Sequence, residues 1–546
     1  MAEFNLIDEP WVPCIDLDGK GVEHGIRNTL LKAHELREIC DDSPLVTVAI
    51  HRLLLAILYR AFEGPSDMPR WKAIYQRDLF PPDGVLPDYL AKWQDRFYLF
   101  DGNYPFMQVG GLDLNEYKDN GQVKGDKKTD GLMRLAREAP DKSGRILFDH
   151  RVGTERPEYT PQQIAKMILA AQSYAGTGVA SGGRVDAQAI KPTACQFAPC
   201  VDGLCLWLQG ENLFQSLMLN LVPMDVSTGD LPAWEDSGVL ESAMNSWNKP
   251  VAFAGPAQRF ASLSRFIRVV DRRSMFFTNG LKTVADANDP MKAYSRPDDT
   301  EEFTAIKLRE DKAAWRDAHS LFSLASTTRK PPASRNHAAR LFQDGTLAKS
   351  VHPRANIVGL ATDKGKSLLW RHERMPVPPA LLGDDNLIER LRMLLHNAEQ
   401  AAIALNKRAR RVAKLYLSPD SESPDGRQPD KDEVTKVLEA IDPRPAYWAR
   451  LEEHFFDLLE NLPNDWDQAS GDWKPDDQQT ATRKWRDHVK QEARRALEES
   501  IRSLGTTSRA IQAVARVRTD FHDNDLKPQP QKAAKAKRKS KGGKKK

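Results

Sequence analysis

The C-terminal third of the chain carries a regular apolar pattern. From residue 385 onward, apolar residues recur at steps of three and four: Leu387, Leu391, Leu394, Ala398, Ala401, Leu405, Ala409 and Val412. This spacing places them on one face and predicts a long helix, Asp385–Leu417. Similar stripes predict further helices at Arg444–Leu462, Gln478–Leu504 and Thr507–Phe521. Four amphipathic helices bury their apolar faces most simply against one another, so we expect a four-helix bundle over residues 381–526.

Residues 1–380 show a different pattern, in which short strand-like runs and helices are broken by many Pro and Gly residues. Candidate strands are Arg145–Phe148, Leu204–Gln209 and Phe266–Val270. Candidate helices are Val46–Phe62, Pro161–Tyr174 and Leu213–Leu221. The two kinds of element do not alternate regularly, which argues against a doubly wound sheet, and the lack of a fixed repeat argues against a solenoid. We therefore expect an irregular mixed α/β domain and an α+β fold class.

Charge is distributed unevenly along the chain. Residues 527–546 contain nine Lys, one Arg and no acidic residue. The other 526 residues hold 70 basic and 76 acidic groups, a net charge of −6, although the whole chain has +4. A segment with so little apolar content cannot form a core, so we expect a disordered Lys-rich tail over 527–546. A tail of this kind attracts polyanions without sequence preference.

The N-terminal sequence and the most apolar stretch bear on localisation. The chain opens MAEFNLIDEPWVPC, which has neither the basic nor the apolar region of a secretion signal. The stretch Leu45–Tyr59 is interrupted by His51 and Arg52 and is too short to span a bilayer, so it predicts a buried helix. Together these features predict a cytoplasmic protein with no membrane partner.

The sequence offers little to support catalysis. Cys195, Cys200 and Cys205 follow a C-x4-C-x4-C spacing, but a structural zinc site usually needs closer pairs and a fourth ligand. Buried thiols around a strand at Leu204–Leu208 are the favoured interpretation. The patterns GxxxxGK[ST], GxGxxG, HExxH and GxSxG are all missing. We therefore expect no enzymatic activity, no metal and no cofactor.

Three motifs in the first 280 residues are distinctive. They are Phe4–Pro13 (FNLIDEPWVP), Phe97–Leu99 followed by Tyr104–Gln108 (YPFMQ), and Phe277–Gly280 (FTNG). On these motifs the sequence resembles the CasA family, the large subunit of the type I-E CRISPR surveillance complex Cascade. The resemblance runs in order through residues 1–521 and leaves the Lys-rich tail outside.

The resemblance implies a function in RNA-guided antiviral defence. CasA-like subunits bind double-stranded DNA and recognise the short motif beside the target, the PAM, through the minor groove. They help to start strand separation for guide-RNA pairing and recruit a separate helicase-nuclease. The implied partners are therefore a DNA duplex, the guide RNA, the helicase-nuclease and the subunits CasB, CasC, CasD and CasE. Two alternatives stand beside this function: a scaffold subunit that binds DNA non-specifically through its tail, and a metal-dependent nuclease.

Two PAM-reading segments follow from the resemblance. A glycine-rich loop, Gly176, Thr177 and Gly178, would let backbone approach the base edges of a narrow groove. The alternative for Gly176 is an ordinary helix C-cap. A basic finger falls at Arg273, where the family usually has Lys; arginine favours narrow A·T-type grooves. The alternative for Arg273 is a surface arginine in a charged turn.

The third PAM segment implied by the resemblance is a β-hairpin wedge. Its turn is predicted at Lys364, Gly365 and Lys366, within the sequence TDKGK, which is typical of a tight hairpin. The family's wedge carries a Gln that this sequence lacks. The resemblance therefore leaves the wedge role to the two lysines.

Two further segments complete the set of candidate contacts. A loop over residues 149–160, including Arg151, Arg156 and Tyr159, matches the family segment that docks onto the rest of the complex. Basic residues on the first bundle helix are candidates for contacts to DNA phosphates, with a solvated helix face as the alternative. These basic residues are Lys407, Arg408 and Arg411.

Overall fold

The computed structural model describes twelve stretches of the chain. They are residues 4–117, 123–126, 129–136, 156–185, 188–190, 193–296, 300–348, 350–363, 366–467, 470–475, 477 and 479–527. The predicted strand Arg145–Phe148 and all of the Lys-rich tail except Lys527 lie outside them. The chain forms two compact units, Met1–Ile388 and Glu389–Lys546, which we describe separately.

Sixteen α-helices lie within the described residues. The first eleven are α1 (Ile26–Leu31), α2 (Pro44–Ala61), α3 (Met68–Tyr75), α4 (Val85–Trp93), α5 (Pro161–Tyr174), α6 (Leu213–Asn220), α7 (Val239–Ser246), α8 (Pro256–Phe260), α9 (Ala318–Leu321), α10 (Ala333–Gln343) and α11 (Pro379–Gly383). The other five are α12 (Asp385–Leu417), α13 (Lys431–Ala440), α14 (Arg444–Asn461), α15 (Ala481–Arg502) and α16 (Ser508–Ala515).

The strands of the described residues are short and form several small sheets. They are β1 (Val12–Asp16), β2 (Gly21–His24), β3 (Leu36–Ile39), β4 (Leu112–Tyr117), β5 (Val123–Asp126), β6 (Asp130–Gly131), β7 (Gly178–Ala180), β8 (Gly183–Val185), β9 (Gln188–Ile190), β10 (Thr193–Cys195), β11 (Cys205–Gln209), β12 (Arg265–Asp271), β13 (Ser274–Asn279), β14 (Tyr294–Ser295), β15 (Thr304–Ala305), β16 (Arg329–Lys330), β17 (Arg354–Asp363), β18 (Lys366–Pro376), β19 (Trp466–Asp467) and β20 (Asp472–Trp473).

Antiparallel pairing characterises the sheets. Every pair of these strands in the described part of the chain is antiparallel. Two sheets carry predicted site residues at their hairpin turns, with strand orders β12-β13-β6 and β11-β17-β18. Small antiparallel sheets mixed with helices make an α+β fold rather than a doubly wound one, as the sequence predicts.

Helix α2 forms the centre of unit 1. It begins with Ser43, whose side chain accepts a hydrogen bond from the Val46 amide, and with Pro44 in the first turn, where proline is well tolerated. By length and composition α2 could cross a membrane, since its mean hydropathy is 1.4, but 89% of that window is buried within the protein. The guanidinium of Arg52 pairs with the buried Asp289 at 3.0 Å. The prediction of a buried helix is confirmed.

Unit 2 is helical, and its apolar stripes are buried as the periodicity requires. Tyr447 of α14 donates through its hydroxyl to the Ala398 carbonyl at 2.9 Å. Trp485 of α15 donates through Nε1 to the Leu394 carbonyl at 3.0 Å. These two bonds tie α14 and α15 to α12, whose bounds are those predicted from the sequence.

Unit 2 departs from the predicted four helices in two places. Helix α13 lies between the first two predicted helices, where the sequence analysis predicts no helix. Only Val434 and Leu438 of this helix are buried, so its apolar pattern is too short to predict one. The last predicted helix, Thr507–Phe521, ends much earlier, at the end of α16. The β-branched Val517 and Thr519 disfavour its continuation.

Candidate nucleic-acid interface

The glycine-rich loop follows α5 directly. Thr160 and Gln163 cap the start of this helix reciprocally, and Ala175 ends it in an extended conformation. Gly176 does not adopt the left-handed conformation that a C-cap glycine uses, and Gly178 begins β7, where it pairs with Cys195 of β10. A Cβ added at Gly178 would meet no atom of the described residues within 4 Å. The helix-cap alternative for Gly176 is therefore not favoured, and the space beside Gly178 is open.

A buried arginine anchors this loop from the start of β12. The guanidinium of Arg265 donates to the carbonyls of Gly176 at 2.6 Å, Ala175 at 3.2 Å, Gln196 at 2.5 Å and Ser264 at 2.6 Å. Hydrogen bonds from a charged donor are stronger than neutral ones, especially in a buried site. The loop backbone is therefore fixed from beneath.

Gln172, in the last turn of α5, joins the helix to the same strand. Its Nε2 donates to the Arg265 carbonyl at 2.8 Å and to the Met107 carbonyl at 3.0 Å. Its Oε1 accepts from the Arg265 amide at 2.9 Å. The C-terminal end of α5, the glycine-rich loop and the start of β12 therefore form one hydrogen-bonded assembly.

Arg273 lies in the turn between β12 and β13. Asp271 pairs with Ser274, so Arg272 and Arg273 form a two-residue connection. The Asp271 carboxylate accepts a hydrogen bond from the Arg273 amide at 2.7 Å. The Arg273 side chain is 60% exposed, and its Nη2 lies 3.0 Å from Oε2 of Glu158. An exposed arginine at the tip of a tight hairpin fits both interpretations of the sequence, the basic finger and the charged turn.

The described part of the predicted docking loop packs against this turn. The Tyr159 amide donates to the Arg272 carbonyl at 2.9 Å. Arg156 donates to the Thr129 side chain at 2.8 Å and to the Thr129 carbonyl at 2.5 Å. The third predicted loop residue, Arg151, lies outside the described residues. The structure therefore brings the docking loop and the basic finger together, a proximity that no local sequence signal reveals.

The glycine-rich loop and the basic finger lie at opposite ends of β12. Arg265 at the start of the strand holds Gly176, whereas Arg273 follows its last residue, Asp271. Six residue steps along a strand correspond to about 20 Å. The two segments are therefore at opposite ends of one strand and are not in contact with each other.

The predicted wedge is a long hairpin in a separate sheet. Strands β17 and β18 pair from Arg354 opposite Pro376 to Asp363 opposite Lys366. The predicted hairpin is confirmed by this pairing, and its turn, Lys364 and Gly365, lies outside the described residues. Lys366 begins β18, but the wedge role of all three turn residues stays a prediction.

The basic residues of α12 are not equivalent. Lys407 and Arg411 are exposed, and Arg411 forms a bidentate pair with Glu422 at 2.6 and 2.9 Å. Arg408 instead lies over the Phe521 ring, 3.8 Å from its centroid, and its Nη2 is 3.0 Å from the Asp525 carboxylate. Arg408 therefore packs within unit 2, and we remove it from the candidate DNA surface.

Two of the three clustered cysteines lie in the core, as the favoured interpretation of buried thiols predicts. Cys200 and Cys205 are buried, the latter at the start of β11, and Cys195 is half-buried. Burial raises the pKa of the Cys195 thiol. Within the described residues, no group of three or more His, Cys, Asp or Glu side chains is arranged to hold a metal ion.

Comparison with known proteins decides the family. A family model for the CRISPR-associated protein Cse1 matches residues 5–496. The CRISPR-associated protein CasA/Cse1 of Thermus thermophilus is 31% identical over 543 residues, which cover 95% of this chain and 97% of that protein. The chain belongs to the Cse1 (CasA) family.

Solved structures of the Cse1 family share the fold. The crystal structure of Thermus thermophilus CasA superposes with a TM-score of 0.74 at 27% identity, covering 94% of this chain and 97% of that one. Thermobifida fusca Cse1 gives 0.67 at 22% identity, with coverage of 95% and 94%. A chain of a CRISPR RNA-guided surveillance complex also gives 0.67, at 18% identity, with coverage of 94% and 99%. The last two likenesses bear on the fold alone.

Proposed function

We propose that this Cse1-family chain is the non-catalytic large subunit of a type I-E Cascade complex. In this role it binds double-stranded DNA, recognises the PAM through the minor groove, helps to start strand separation for guide-RNA pairing and recruits the helicase-nuclease. Its partners are the DNA target, the guide RNA, the subunits CasB, CasC, CasD and CasE, and the helicase-nuclease, all in the cytoplasm. Membership of the family supports this role.

The observation that carries the proposal is the exposed loop at Gly176, Thr177 and Gly178. The carbonyls of Gly176 and of the preceding Ala175 accept hydrogen bonds from the buried Arg265, and the space beside Gly178 is open. The minor groove is about 6 Å wide, so backbone without side chains can approach its base edges closely. A loop held rigid before binding loses little entropy when it meets DNA.

Arg273 supplies the charged part of the proposed interface. The hairpin turn projects it into solvent, where a guanidinium can enter the negative potential of a narrow minor groove. Arg156 and Tyr159, which pack on or beside the same turn, belong to the surface that docks onto the rest of the complex. Lys364, Gly365 and Lys366 are the proposed wedge residues, and Lys407 and Arg411 contribute phosphate contacts.

Electrophoretic binding of the reconstituted complex to a DNA library randomised at the PAM tests this function. We expect the wild-type complex to enrich a subset of PAM sequences. Gly178→Val should reduce the enrichment, because its side chain fills the space that the groove would occupy. Gly19→Val is the matched control, since a Cβ there also meets nothing within 4 Å, the φ of Gly19 is likewise positive at 86°, and this residue lies between β1 and β2 of another sheet.

Deleting residues 527–546 separates this function from the scaffold alternative. We expect the truncated complex to keep its PAM preference and to bind all sequences more weakly, with a flatter salt dependence. Complete loss of DNA binding after the truncation would favour a scaffold that depends on its tail. DNA cleavage by the isolated subunit with Mg²⁺ or Mn²⁺ would favour the nuclease alternative.

A further inference from the structure

The β17–β18 hairpin carries an unusual pair of apolar side chains near its turn. Leu368 is 51% exposed and Trp370 is 39% exposed. Among the described residues they are the two exposed large apolar side chains that share one strand. Strand β18 is at the edge of its sheet, where natural proteins usually place charges rather than bulky apolar groups.

A β-bulge aims Leu368 away from the ladder. Ala361 pairs with Leu369, and the next residue, Thr362, pairs with Ser367, so Leu368 is the extra residue on β18. Bulges bend a strand and redirect one side chain, and they occur often beside functional sites. Leu368 lies two residues from the last pair of the hairpin, a distance of about 7 Å along the strand.

Trp370 stands further along the same strand, opposite the buried Leu360. One part of its side chain therefore packs on the hairpin while the rest faces solvent. Aromatic rings in this half-exposed position are stacking platforms for bases, because every base has a flat π-face.

Charge near the hairpin turn favours a nucleic acid over another protein as the occupant of this face. Between Thr362 and Arg371 the sequence has three basic residues and one acidic residue. Proteins that open DNA often insert apolar side chains such as Leu between base steps and hold the phosphates with Lys or Arg. An apolar pair within a basic segment matches that combination.

We propose that Leu368 and Trp370 contact the bases that become unpaired beside the PAM. Leu368 enters the first opened step, and Trp370 stacks on a base released from the duplex. This assignment rests on the proposed function and deepens it, because it supplies an apolar contact where the sequence lacks the Gln of the family's wedge. The lysines of the turn then contact phosphates and do not themselves force the bases apart.

The test uses the reconstituted complex and a PAM-bearing duplex with 2-aminopurine at the first base pair of the target. Fluorescence rises when this base unstacks. We expect Leu368→Ala and Trp370→Ala to slow the rise by about tenfold each, the scale of one lost stacking contact. Trp370→Phe should retain most of the rate, whereas Trp370→Leu, which keeps apolar area without a flat ring, should not.

A second duplex, mismatched over the first base pairs of the target, is already open and should restore near wild-type binding to Leu368→Ala. Trp370→Ala should keep a smaller loss than on the closed duplex, because it still lacks its stacking contact to the unpaired base. Leu17→Ala and Tyr104→Ala are the matched controls, since these side chains are 45% and 60% exposed outside the hairpin. Thermal melting of each variant subunit checks that it is folded.

Three outcomes would overturn the assignment. Folded alanine variants that open the closed duplex at the wild-type rate would exclude a contact to the bases. Variants that fail to enter the complex would make this face a subunit interface, and equal losses on closed and mismatched duplexes would indicate a packing role. If the wild-type complex opens no duplex in a PAM-dependent way, the proposed function itself fails.

Discussion

Glu158 and Arg273, 115 residues apart in the sequence, form an ion pair in which Nη2 of the arginine lies 3.0 Å from Oε2 of the glutamate. The other carboxylate oxygen of Glu158 lies 3.8 Å from the guanidinium of Arg272. One carboxylate therefore occupies the position where the two arginines of the turn would meet a phosphate or a base edge. DNA that binds this turn has to displace it.

Glu158→Gln should strengthen DNA binding, because the neutral amide competes less well for the guanidinium. Exposed ion pairs contribute up to about 1 kcal/mol, so we expect up to a fivefold lower Kd for the PAM duplex. Titration at two salt concentrations measures the effect. In the Arg273→Ala background the same substitution should give no gain, and an equal gain there would mean that Glu158 acts on DNA directly.

Arg273→Ala should weaken binding to the PAM duplex by about 1–3 kcal/mol, the usual worth of a base contact. The measurement is the ratio of affinities for PAM and non-PAM duplexes. Arg272→Ala, the adjacent residue of the same turn, is the control and should lower both affinities alike through a lost phosphate contact. If Arg273→Ala leaves the ratio of the affinities for PAM and non-PAM duplexes unchanged, Arg273 does not contact the PAM.

Arg265→Met should destabilise unit 1 by about 2–4 kcal/mol, since it keeps the side-chain volume but leaves buried carbonyls unsatisfied. Denaturant unfolding of the isolated subunit measures the change. PAM preference should fall with it, because Gly176 loses its anchor. Arg268 lies on the same strand but is partly exposed, so Arg268→Met should lower the free energy of unfolding by about 1 kcal/mol or less. Equal costs for the two variants would contradict the anchoring role.

Unit 1 should lose stability as the pH falls below 6.5. Burial lowers the pKa of His337 to about 3 and that of His51 to about 3. A histidine with a lowered pKa binds fewer protons when folded than when unfolded, so its contribution is complete above the unfolded value and is lost below it. At pH 5 each of these two histidines lowers the free energy of unfolding of unit 1 by about 2 kcal/mol.

His337→Phe isolates this effect. The histidine ring stands edge-on to Trp71, with centroids 4.7 Å apart, so phenylalanine can occupy the same space without titrating. We expect the loss of unfolding free energy between pH 7.5 and pH 5 to shrink by about 2 kcal/mol. His352→Phe, at an exposed position, is the control substitution. A His337→Phe profile that superposes on the wild type would contradict the burial argument.

Local sequence patterns were sufficient to predict many of the helices and strands. The capping pair Thr160 and Gln163, with Pro161 between them, marks the start of α5 in the sequence itself, and the apolar stripe from Leu387 to Val412 marks most of α12. The turn sequence TDKGK predicts the β17–β18 hairpin. In each case the residues that decide the structure lie within a few positions of one another.

The features that the sequence did not reveal depend on distant partners. Arg408 has the spacing of a surface residue, and only the positions of Phe521 and Asp525 turn it inward. Arg265 lies in an ordinary strand sequence, and its role depends on carbonyls from residues 175, 176 and 196. The sequence around Trp370 and Leu368 does not distinguish these residues from those of a buried strand. Their exposure follows from a bulge and from the edge position of β18.

Helix α5 is tethered to the β12–β13 hairpin at both of its ends, by Tyr159 at the entrance and by Gln172 at the exit. A helix of this length is a stiff strut of about 21 Å. Helix and hairpin thus form a closed hydrogen-bonded frame that joins the docking loop at one end to the glycines at the other. In the proposed function, a contact that the docking loop makes with the assembly is therefore coupled to the glycines that face the duplex.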